Sequence, residues 1–423
     1  RLVSDWSSDV CSSDLANKPL YSEVVKRWAA YVGETFQKGL TASGLPVQVY
    51  ALFGGQWPHS SYMVPGGVMC APTLKDITRA HAIMTQFKND WLEPIWLGCS
   101  IERYLEIKSW DDMMAWLDES ESHRNSDLGL YLRAGLEFGL DKFGQGVGKF
   151  LAFGTYLHKD LYNTPTIEGR NKALISSSGF FDGKDWHEFD HMKVSEHVKH
   201  SWFNDQESGL HPWDEPLPTP ALSTTLHDTD FSGQYSWAKA PRYDGYACEA
   251  GPLSRVIMNA NPNNLDHQIK DPLFGDIMQK MGASVFTRVL ARVHEAPRLY
   301  TLIEKWLTEI DLDGDFYTKP VEKDGKGFGA TEAARGSLAH WIEIKNGVIK
   351  NYQVMAPTTW NVGPMDANEN PGPIEAALLG SEIEDPEDPV EVGIVARSFD
   401  SCLVCTVHAH DAKTGKELSR FKL

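Results

Sequence analysis

The chain of 423 residues is 42% hydrophobic and 11% aromatic, enough to bury a large core in one big domain or in two to three ordinary ones. The 58 aspartates and glutamates outnumber the 40 lysines and arginines, and the formal charge of -18 would repel phosphate backbones and anionic lipid, which argues against nucleic acid as a partner. No apolar run is long enough to span a bilayer, so any link to a membrane is expected to come through a partner protein.

The first residues do not resemble a folded protein segment. Asp5 to Leu15 reads DWSSDVCSSDL, which resembles one reading frame of a DNA adapter used in short-read sequencing. We therefore expect residues 1–15, including Cys11, to be an artefact that takes no part in the fold. The alternative is a serine-rich natural N-terminus without regular structure. In either case we expect the natural gene product to begin further upstream.

Apolar residues at helical spacing predict that helices dominate the rest of the chain. An amphipathic helix is predicted from Pro19 to Gly44, with a glycine ending the run. Leu52 to Pro72 is rich in glycine, proline and aromatic residues, which predicts a buried or interfacial loop. Further helical patterns lie at Leu74 to Trp91, Leu128 to Leu140, Val194 to Phe203, Leu273 to Thr308 and Pro389 to Ala396.

One β-hairpin is predicted between Ser337 and Ala356. Alternating apolar residues on either side of Asn346-Gly347 are typical of two antiparallel strands joined by a tight primed turn. The acidic stretch from Glu382 to Glu391 is expected to be a solvated connector. The predicted fold class is therefore mainly α with small β-hairpins, an α+β protein.

Histidines 187, 191, 197 and 200 could suggest a metal site, with His197 and His200 one helical turn apart. A solvated or packed face of the predicted helix is the interpretation we prefer. Asp311 to Asp315 has its glycine too early for a calcium-binding EF-hand loop, which predicts a simple turn.

The C-terminal segment Cys402-x-x-Cys405-x-x-His408 carries the strongest chemical signal. Two thiolates at this spacing can reach one metal, and thiolates are soft ligands that suit nickel, iron or zinc. Half of a zinc knuckle would need further ligands nearby, and no cysteine follows His408. A thioredoxin-like redox pair would need a strand-to-helix context that the neighbourhood lacks. The spacing alone is only moderately specific.

The motif gains specificity from other segments in the chain. Together they resemble the large subunits of nickel-iron hydrogenases, whose usual C-terminal motif is Asp-Pro-Cys-x-x-Cys-x-x-His. The matching segments are RSFDSCLVCTVH (397–408), EAARGSL (332–338), APTTWN (356–361), YSWAKAPRY (235–243), GPLSR (251–255) and HSWF (200–203). The resemblance covers Lys18 to Leu423 and implies the hydrogenase large-subunit fold, which the large peripheral-arm subunit of respiratory complex I shares.

The resemblance implies a nickel-iron centre in which four cysteine thiolates hold the nickel. Two of them also bridge to an iron that carries cyanide and carbon monoxide, an Fe(CN)2CO unit. Cys402 is then a terminal nickel ligand and a candidate proton acceptor, and Cys405 is a bridging ligand. Arg335 matches an arginine over the open metal position, where its cation polarises hydrogen and donates towards a cyanide. Asp400 is expected to orient Arg335.

Further roles follow from the same resemblance. Pro357 and Thr358 match the pocket around the diatomic ligands of the iron. His408, with the backbone carbonyl of Val354, matches the ligands of a Mg²⁺ or similar ion near the active site. Residues 16–408 are then the catalytic domain, and Ala409 to Leu423 matches an extension that a maturation endopeptidase removes behind His408 after nickel insertion.

The resemblance also implies the reaction and its partners. The expected function is that of an uptake hydrogenase, which splits H2 heterolytically into protons and electrons. The electrons leave through iron-sulfur clusters that only a separate small subunit carries, and nickel-insertion factors load the metal. The compartment is expected to be the cytoplasm or a membrane surface reached through partners, with co-export to the periplasm as the alternative. A complex I-like subunit without catalysis, or a zinc-binding scaffold, is the alternative function.

The chain departs from the family pattern at three points. Ser401 and Ala334 each stand where proline is usual, and with the FGGQWPHSSYMVPGG segment (53–67) they resemble the high-affinity actinobacterial-type uptake group. The Arg-x-Cys-Gly-x-Cys motif that supplies the other two thiolates is not in the sequence, and Cys70, Cys99 and Cys248 lack its spacing. We therefore expect this fragment alone to be inactive, and the upstream gene to encode the missing motif.

Overall fold

A computed structural model describes residues 16–158, 166–203, 208–214, 233–263, 269–321, 323–383, 385, 389–401, 406–410 and 417–422. The chain divides into two compact units. Unit 1 comprises Arg1–Phe138 and Arg292–Glu322, and unit 2 comprises Gly139–Ala291 and Lys323–Leu423. The predicted artefact, residues 1–15, lies outside the described residues.

Unit 1 is built mainly from helices. They are α1 (Tyr21–Trp28), α2 (Glu34–Gly54), α3 (Leu74–Phe87), a π-helix (Lys88–Leu97), α4 (Ile101–Leu105), α5 (Trp110–Glu119), α6 (Glu121–Arg124) and α7 (Asp127–Glu137). Hydroxyl side chains begin several of them. Thr73 and Asp76 form a reciprocal capping box at the start of α3.

The predicted helix from Pro19 to Gly44 is wrong in its extent. The chain turns back between α1 and α2, and a side chain on Gly33 would lie only 2.5 Å from the Arg27 carbonyl oxygen. Gly44 lies inside α2, which continues through Pro46. The periodicity identified helical residues, but a tight tertiary turn decided where the helices end.

The aromatic-rich stretch from Leu52 to Pro72 begins in the last three residues of α2, and beyond them it is irregular apart from a short hairpin of β1 (Met63–Val64) and β2 (Gly67–Val68). The expected burial is not found within the chain, because Trp57, Met63 and Met69 are all more than half exposed. Asp311 starts the expected turn, with the Gly314 N–H donating to its carbonyl.

Unit 2 combines short strands with helices. Its first strands are β3 (Phe150–Ala152), β4 (Thr155–Leu157), β5 (Leu174–Ser176), β6 (Gly179–Phe181), β7 (Trp186–His187), β8 (Val194–His197) and β9 (Ala240–Tyr243). Helix α8 (Ile167–Ala173) lies between β4 and β5. The helices α9 (Pro252–Asn259), α10 (Pro272–Lys280) and α11 (Val285–Glu309) follow, and α11 belongs to unit 2 only as far as Ala291.

Two helix predictions are corrected here. The predicted helix from Val194 to Phe203 begins instead as β8, which pairs antiparallel with β9, and its burial alternates with the two-residue period of a strand. His197 and His200 therefore do not share a helical face. The helix predicted from Leu273 to Thr308 is broken at Gly282, whose φ of 69° is left-handed.

The last part of unit 2 contains a three-stranded antiparallel sheet of β10 (Gly325–Ala333), β11 (Gly336–Lys345) and β12 (Val348–Met355). The hairpin of β11 and β12 is confirmed, with Asn346 and Gly347 at φ of 56° and 71° as a primed turn requires. Then come α12 (Pro357–Val362), α13 (Pro373–Leu378), α14 (Val390–Ser398), β13 (Thr406–His410) and β14 (Glu417–Lys422).

A hydrophobic core joins this sheet to the rest of unit 2. Its buried residues include Leu151, Phe153, Tyr243, Trp341 and Trp360. The mixture of helices and small antiparallel sheets confirms the predicted α+β class. Among the described helices, none combines the length and apolar character that crossing a bilayer demands.

Candidate metal centre

Arg335 lies at the tip of the turn between β10 and β11. Ala333 pairs with Gly336, so only Ala334 and Arg335 form the connection. Gly336 has a φ of 129° and packs directly on backbone, since a side chain there would lie 2.7 Å from the nitrogen of Gly251. Glycine is thus required next to Arg335 for two reasons, conformation and space.

A buried ion pair holds this turn. Arg255 donates from Nη1 to Glu332 Oε2 at 3.2 Å and to the carbonyl of Ala333 at 2.9 Å, and from Nη2 to the carbonyl of Ala334 at 3.1 Å. Glu332 also accepts from the Phe153 N–H and from Ser337 Oγ, both at 2.7 Å. Burial raises the pKa of Glu332, and the charge of Arg255 and these hydrogen bonds oppose that shift.

A second buried ion pair supports the end of α14. The guanidinium of Arg288 donates to Glu249 at 2.7 and 2.9 Å and stacks over the ring of Phe399 at 3.9 Å. Phe399 caps α14, and Asp400 follows with a left-handed φ of 54°, a conformation that aspartate tolerates. Asp400 is therefore positioned by its neighbour Phe399, which is packed in place.

The structure brings Arg335 and Asp400 together, with 3.5 Å between Arg335 Nε and Asp400 Oδ1. The Arg335 side chain is one third exposed, at 32%. Its Nε is buried and has no hydrogen-bond partner among the described residues, and the same is true of Ser401 Oγ. Ser401 directly precedes Cys402. The two residues before Cys402 in the sequence are thus Asp400, which pairs with a cation, and Ser401, whose hydroxyl makes no hydrogen bond with any described residue.

The predicted ligands Cys402 and Cys405 lie outside the described residues. His408 lies on β13, opposite Arg420 of β14, and its side chain is not described. The predicted cleavage site behind His408 falls within this paired strand. Val354 lies on β12 opposite His340, with its side chain half exposed.

Pro357 and Thr358 form the first turn of α12, where Pro357 occupies a position that suits its missing N–H. Thr358 is buried. Asn361 on the same helix accepts from the Ala250 N–H at 3.0 Å and donates to its carbonyl at 2.8 Å. This two-way amide contact ties α12 to the residue that precedes Gly251, against which the Arg335 turn packs.

The structure describes three cysteines, none of them in the C-terminal motif. Cys248 is buried, and burial raises the pKa of its thiol to about 12, so it stays protonated. Cys70 is exposed and Cys99 is half-buried, and both belong to unit 1. Within the described residues, no group of three or more histidine, cysteine or acidic side chains could hold a metal ion.

Sequence reasoning gave no role to Arg255, Glu332, Arg288 or Glu249. The available signal was a charged residue inside an apolar or glycine-rich segment, as in GPLSR (251–255). Such a residue must be paired if it is buried, but the sequence does not say with which partner.

Comparison with known proteins identifies the family. A family described as nickel-dependent hydrogenase matches residues 129–408. The chain therefore belongs to the nickel-dependent hydrogenase family. It is 32% identical over 417 residues to the uptake hydrogenase large subunit of Azotobacter chroococcum mcd 1, covering 89% of this chain and 64% of that protein. The chain thus spans somewhat less than two thirds of that relative.

Two further comparisons agree with this assignment. The periplasmic [NiFeSe] hydrogenase large subunit of Desulfomicrobium baculatum is 30% identical, over 95% of this chain and 72% of that protein. The crystal structure of a reduced, active form of the Ni-Fe-Se hydrogenase from Desulfomicrobium baculatum superposes with a TM-score of 0.71 and 28% identity, covering 92% of this chain and 72% of that chain. These similarities confirm the predicted large-subunit fold.

Proposed function

We propose that this chain is the large subunit of a nickel-iron uptake hydrogenase that splits H2 heterolytically into protons and electrons. Family membership supports this function, and one structural observation carries the assignment of the site. Arg335 pairs with Asp400, which precedes Cys402 by two positions in the sequence. The Cys402-x-x-Cys405 pair in the sequence argues against the complex I-like alternative, and the family match argues against a zinc-binding scaffold.

The residues present fit an anionic metal group. Cys402 and Cys405 supply two thiolates, the ligand type that nickel and iron favour. The buried Oγ of Ser401 has no hydrogen-bond partner among the described residues and remains able to donate to such a group, and Arg335, held only by its ion pair with Asp400 at 3.5 Å, supplies a cation. When bound, the Ni-Fe(CN)2CO group supplies the electron-rich metal pair at which H2 is cleaved. The remaining two thiolates are proposed to come from the Arg-x-Cys-Gly-x-Cys motif.

The protein side chains then have separate tasks. Arg335 contributes a permanent cation that stabilises negative charge next to it, and its planar guanidinium keeps that charge in a fixed direction. Asp400 orients Arg335 by the ion pair. The Cys402 thiolate accepts the proton. Pro357 and Thr358 form the pocket for the diatomic ligands, and His408 with the carbonyl of Val354 binds Mg²⁺ or a similar ion.

The proposed partner is a small subunit that carries the iron-sulfur clusters and accepts the electrons. Nickel-insertion factors and a C-terminal endopeptidase mature the chain, and residues 409–423 are the segment that the endopeptidase removes. The proposed compartment is the cytoplasm or a membrane surface reached through partners. The Desulfomicrobium baculatum relative is named as periplasmic, which supports co-export with the small subunit as the alternative.

The replacement Cys405→Ser tests the function. The variant is made in the full-length large subunit, matured together with its small subunit. Loss of a bridging thiolate is expected to abolish both bound nickel and hydrogen-dependent dye reduction, because serine is a poor ligand for these metals. Nickel is measured by elemental analysis of the purified complex, and activity by dye reduction under hydrogen.

Cys70→Ser is the matched control, since Cys70 is exposed and belongs to unit 1. This variant is expected to keep both nickel and activity. Full activity of Cys405→Ser would contradict the bridging role. A complex that holds nickel but never consumes hydrogen, even without any replacement, would contradict the proposed function as a whole.

A further inference from the structure

The ion pair between Arg255 and Glu332 is buried, with 7% of the Arg255 side chain and 1% of the Glu332 side chain exposed. Removing two charges from water costs free energy, and replacing such pairs by apolar residues is often neutral or stabilising. A contribution to stability is therefore a weak explanation for the presence of this ion pair. Its location suggests another role, because it lies against the turn that carries Arg335.

Arg255 contacts the two peptide groups that directly precede Arg335. Its Nη1 and Nη2 donate to the carbonyls of Ala333 and Ala334, at 2.9 and 3.1 Å. A planar guanidinium presents its donors in a rigid fork, so two adjacent carbonyls held this way cannot rotate independently. The direction in which the Arg335 side chain leaves the backbone is thereby fixed.

Glu332 anchors Arg255. Its Oε1 accepts from the Phe153 N–H and Ser337 Oγ, and its Oε2 accepts from Arg255. The carboxylate is therefore tied to β3–β4, to the start of β11 and to α9. The nearby Arg170 binds the carbonyls of Phe153 and Ala330 at 2.8 Å each, which fixes β10 to the same segment.

The beginning of α9 supports the turn from the same side as Arg255. Gly336 packs on the backbone of Ala250 and Gly251, immediately before the first residue of α9. Arg255 lies within α9 itself. A shift of α9 would thus move both the support beneath Gly336 and the guanidinium that holds the turn.

We propose that Arg255, anchored by Glu332, is a positioning residue for Arg335, an inference that rests on the proposed hydrogenase function. Arg255 acts through the turn at Ala333 to Gly336 and sets the direction of the Arg335 guanidinium towards Asp400. Displacing Arg335 then impairs turnover without removing a metal ligand. The effect of replacing Arg255 must depend on the presence of Arg335.

The test is a double-mutant cycle in the full-length large subunit matured with its small subunit. Arg255→Lys keeps the positive charge but removes the planar guanidinium that binds two carbonyls at once. The variant is expected to slow turnover about 10- to 100-fold, with nickel content and KM unchanged. In an Arg335→Lys background the same replacement is expected to cause no further loss. Hydrogen–deuterium exchange of the amides at residues 333–337 is expected to become faster in Arg255→Lys.

Arg242→Lys is the matched control. Arg242 is also fully buried, pairs with Asp366 at 3.0 Å and holds the carbonyls of Pro364 and Asn370, but its loop does not include Arg335. If Arg242→Lys slows turnover, the double variant with Arg335→Lys is expected to show the product of the two separate fold-losses. Hydrogen–deuterium exchange at residues 333–337 is expected to stay unchanged in Arg242→Lys.

Glu332→Gln provides a second variant, because the amide oxygen can still accept hydrogen bonds while the charge is lost. The proposal would be overturned if the fold-losses in turnover of Arg255→Lys and Arg335→Lys multiplied in the double variant. It would also be overturned if hydrogen–deuterium exchange at residues 333–337 were unchanged in Arg255→Lys. Loss of nickel in both Arg255→Lys and Glu332→Gln would also overturn it, since the pair would then serve folding. An inactive but nickel-loaded parent complex would contradict the proposed function itself, and this inference with it.

Discussion

At the scale of single residues, Arg335 differs from the fully buried arginines of unit 2. Arg242, Arg255 and Arg288 each donate to a carboxylate and to backbone carbonyls. These hydrogen bonds give each of the three arginines a structural role. Arg335 has one ion pair at 3.5 Å, and its Nε is unsatisfied by any residue that the structure describes. This partly exposed cation, whose Nε makes no hydrogen bond with a described residue, is able to bind an anion.

Replacing Arg335 by lysine is expected to leave nickel content intact and to slow hydrogen-dependent dye reduction roughly 100-fold. Lysine keeps the charge, but its single ammonium group lies on a flexible stem and cannot hold one direction as a guanidinium does. Elemental analysis and steady-state rates on the matured complex measure the two effects separately. Unchanged turnover would remove Arg335 from the mechanism.

At the scale of elements, the sheet of β10 to β12 places Arg335. The sequence predicted the β11–β12 hairpin, because Asn346-Gly347 supplies a primed turn between apolar strands. It did not predict β10, which contains glycine at 325, 327 and 329 and lacks a clear apolar alternation. Strand β10 forms because it pairs along the whole of β11, and the short turn that results carries Arg335.

Gly336→Ala is expected to destabilise unit 2. The φ of 129° strains any residue with a side chain, and the new methyl group would meet the backbone of Ala250 and Gly251 at 2.7 to 3.0 Å. We expect the free energy of unfolding to fall by about 1–3 kcal/mol, measured by urea unfolding of the large subunit.

Gly329→Ala is the control for this glycine. Gly329 lies in β10 with no atom within 4 Å of an added methyl group. Its replacement is expected to change the free energy of unfolding by less than about 0.5 kcal/mol. Equal effects of the two alanines would show that the close approach of Gly336 to Gly251 is not energetically significant.

At the scale of the whole molecule, the interior of unit 2 includes histidines held in their neutral form. His191 Nδ1 accepts from the indole N–H of Trp341 at 3.3 Å, and His211 Nδ1 accepts from the Trp213 N–H at 3.1 Å. Protonation of either Nδ1 would break the hydrogen bond. Burial lowers the pKa of both histidines, and their mutual repulsion when charged lowers that of His191 further.

Stability is therefore expected to depend on pH. The pKa of His191 and of His211 is lower in the folded chain than the ordinary value near 6.5. As the pH falls below that value, the unfolded chain therefore binds more protons than the folded chain does. The stabilisation is complete above about pH 6.5 and is lost as the pH falls through the lower folded values. Thermal unfolding followed by tryptophan fluorescence between about pH 7.5 and 5 measures this dependence.

His211→Asn retains an acceptor for the Trp213 N–H without a group that titrates in this range, so the pH dependence of the melting temperature is expected to flatten. His340→Asn is the control, since His340 lies in the same unit and its Nδ1 lies 2.7 Å from the hydroxyl of Tyr352, at an exposed position of the sheet. An unchanged dependence in His211→Asn would exclude that histidine as a source.

The sequence by itself determined the family and the fold class, and it predicted the metal-binding segment. Helix periodicity, Asn346-Gly347 and the Cys402-x-x-Cys405 motif are local signals, because each depends on residues that are neighbours in the chain. The comparisons confirm the family and the fold class. Roles for Cys402, Cys405, Arg335, Asp400, Pro357, Thr358, His408 and Val354 remain predictions.

Only the tertiary structure decided what surrounds Arg335. Its turn exists because β10 pairs with β11, and the turn is held by Arg255, which precedes it by about 80 positions along the sequence. Asp400, the partner of Arg335, directly follows Phe399, whose ring packs under the guanidinium of Arg288. A sequence shows that such charges must be paired if buried, but which residues pair depends on strand pairing and helix packing between distant segments.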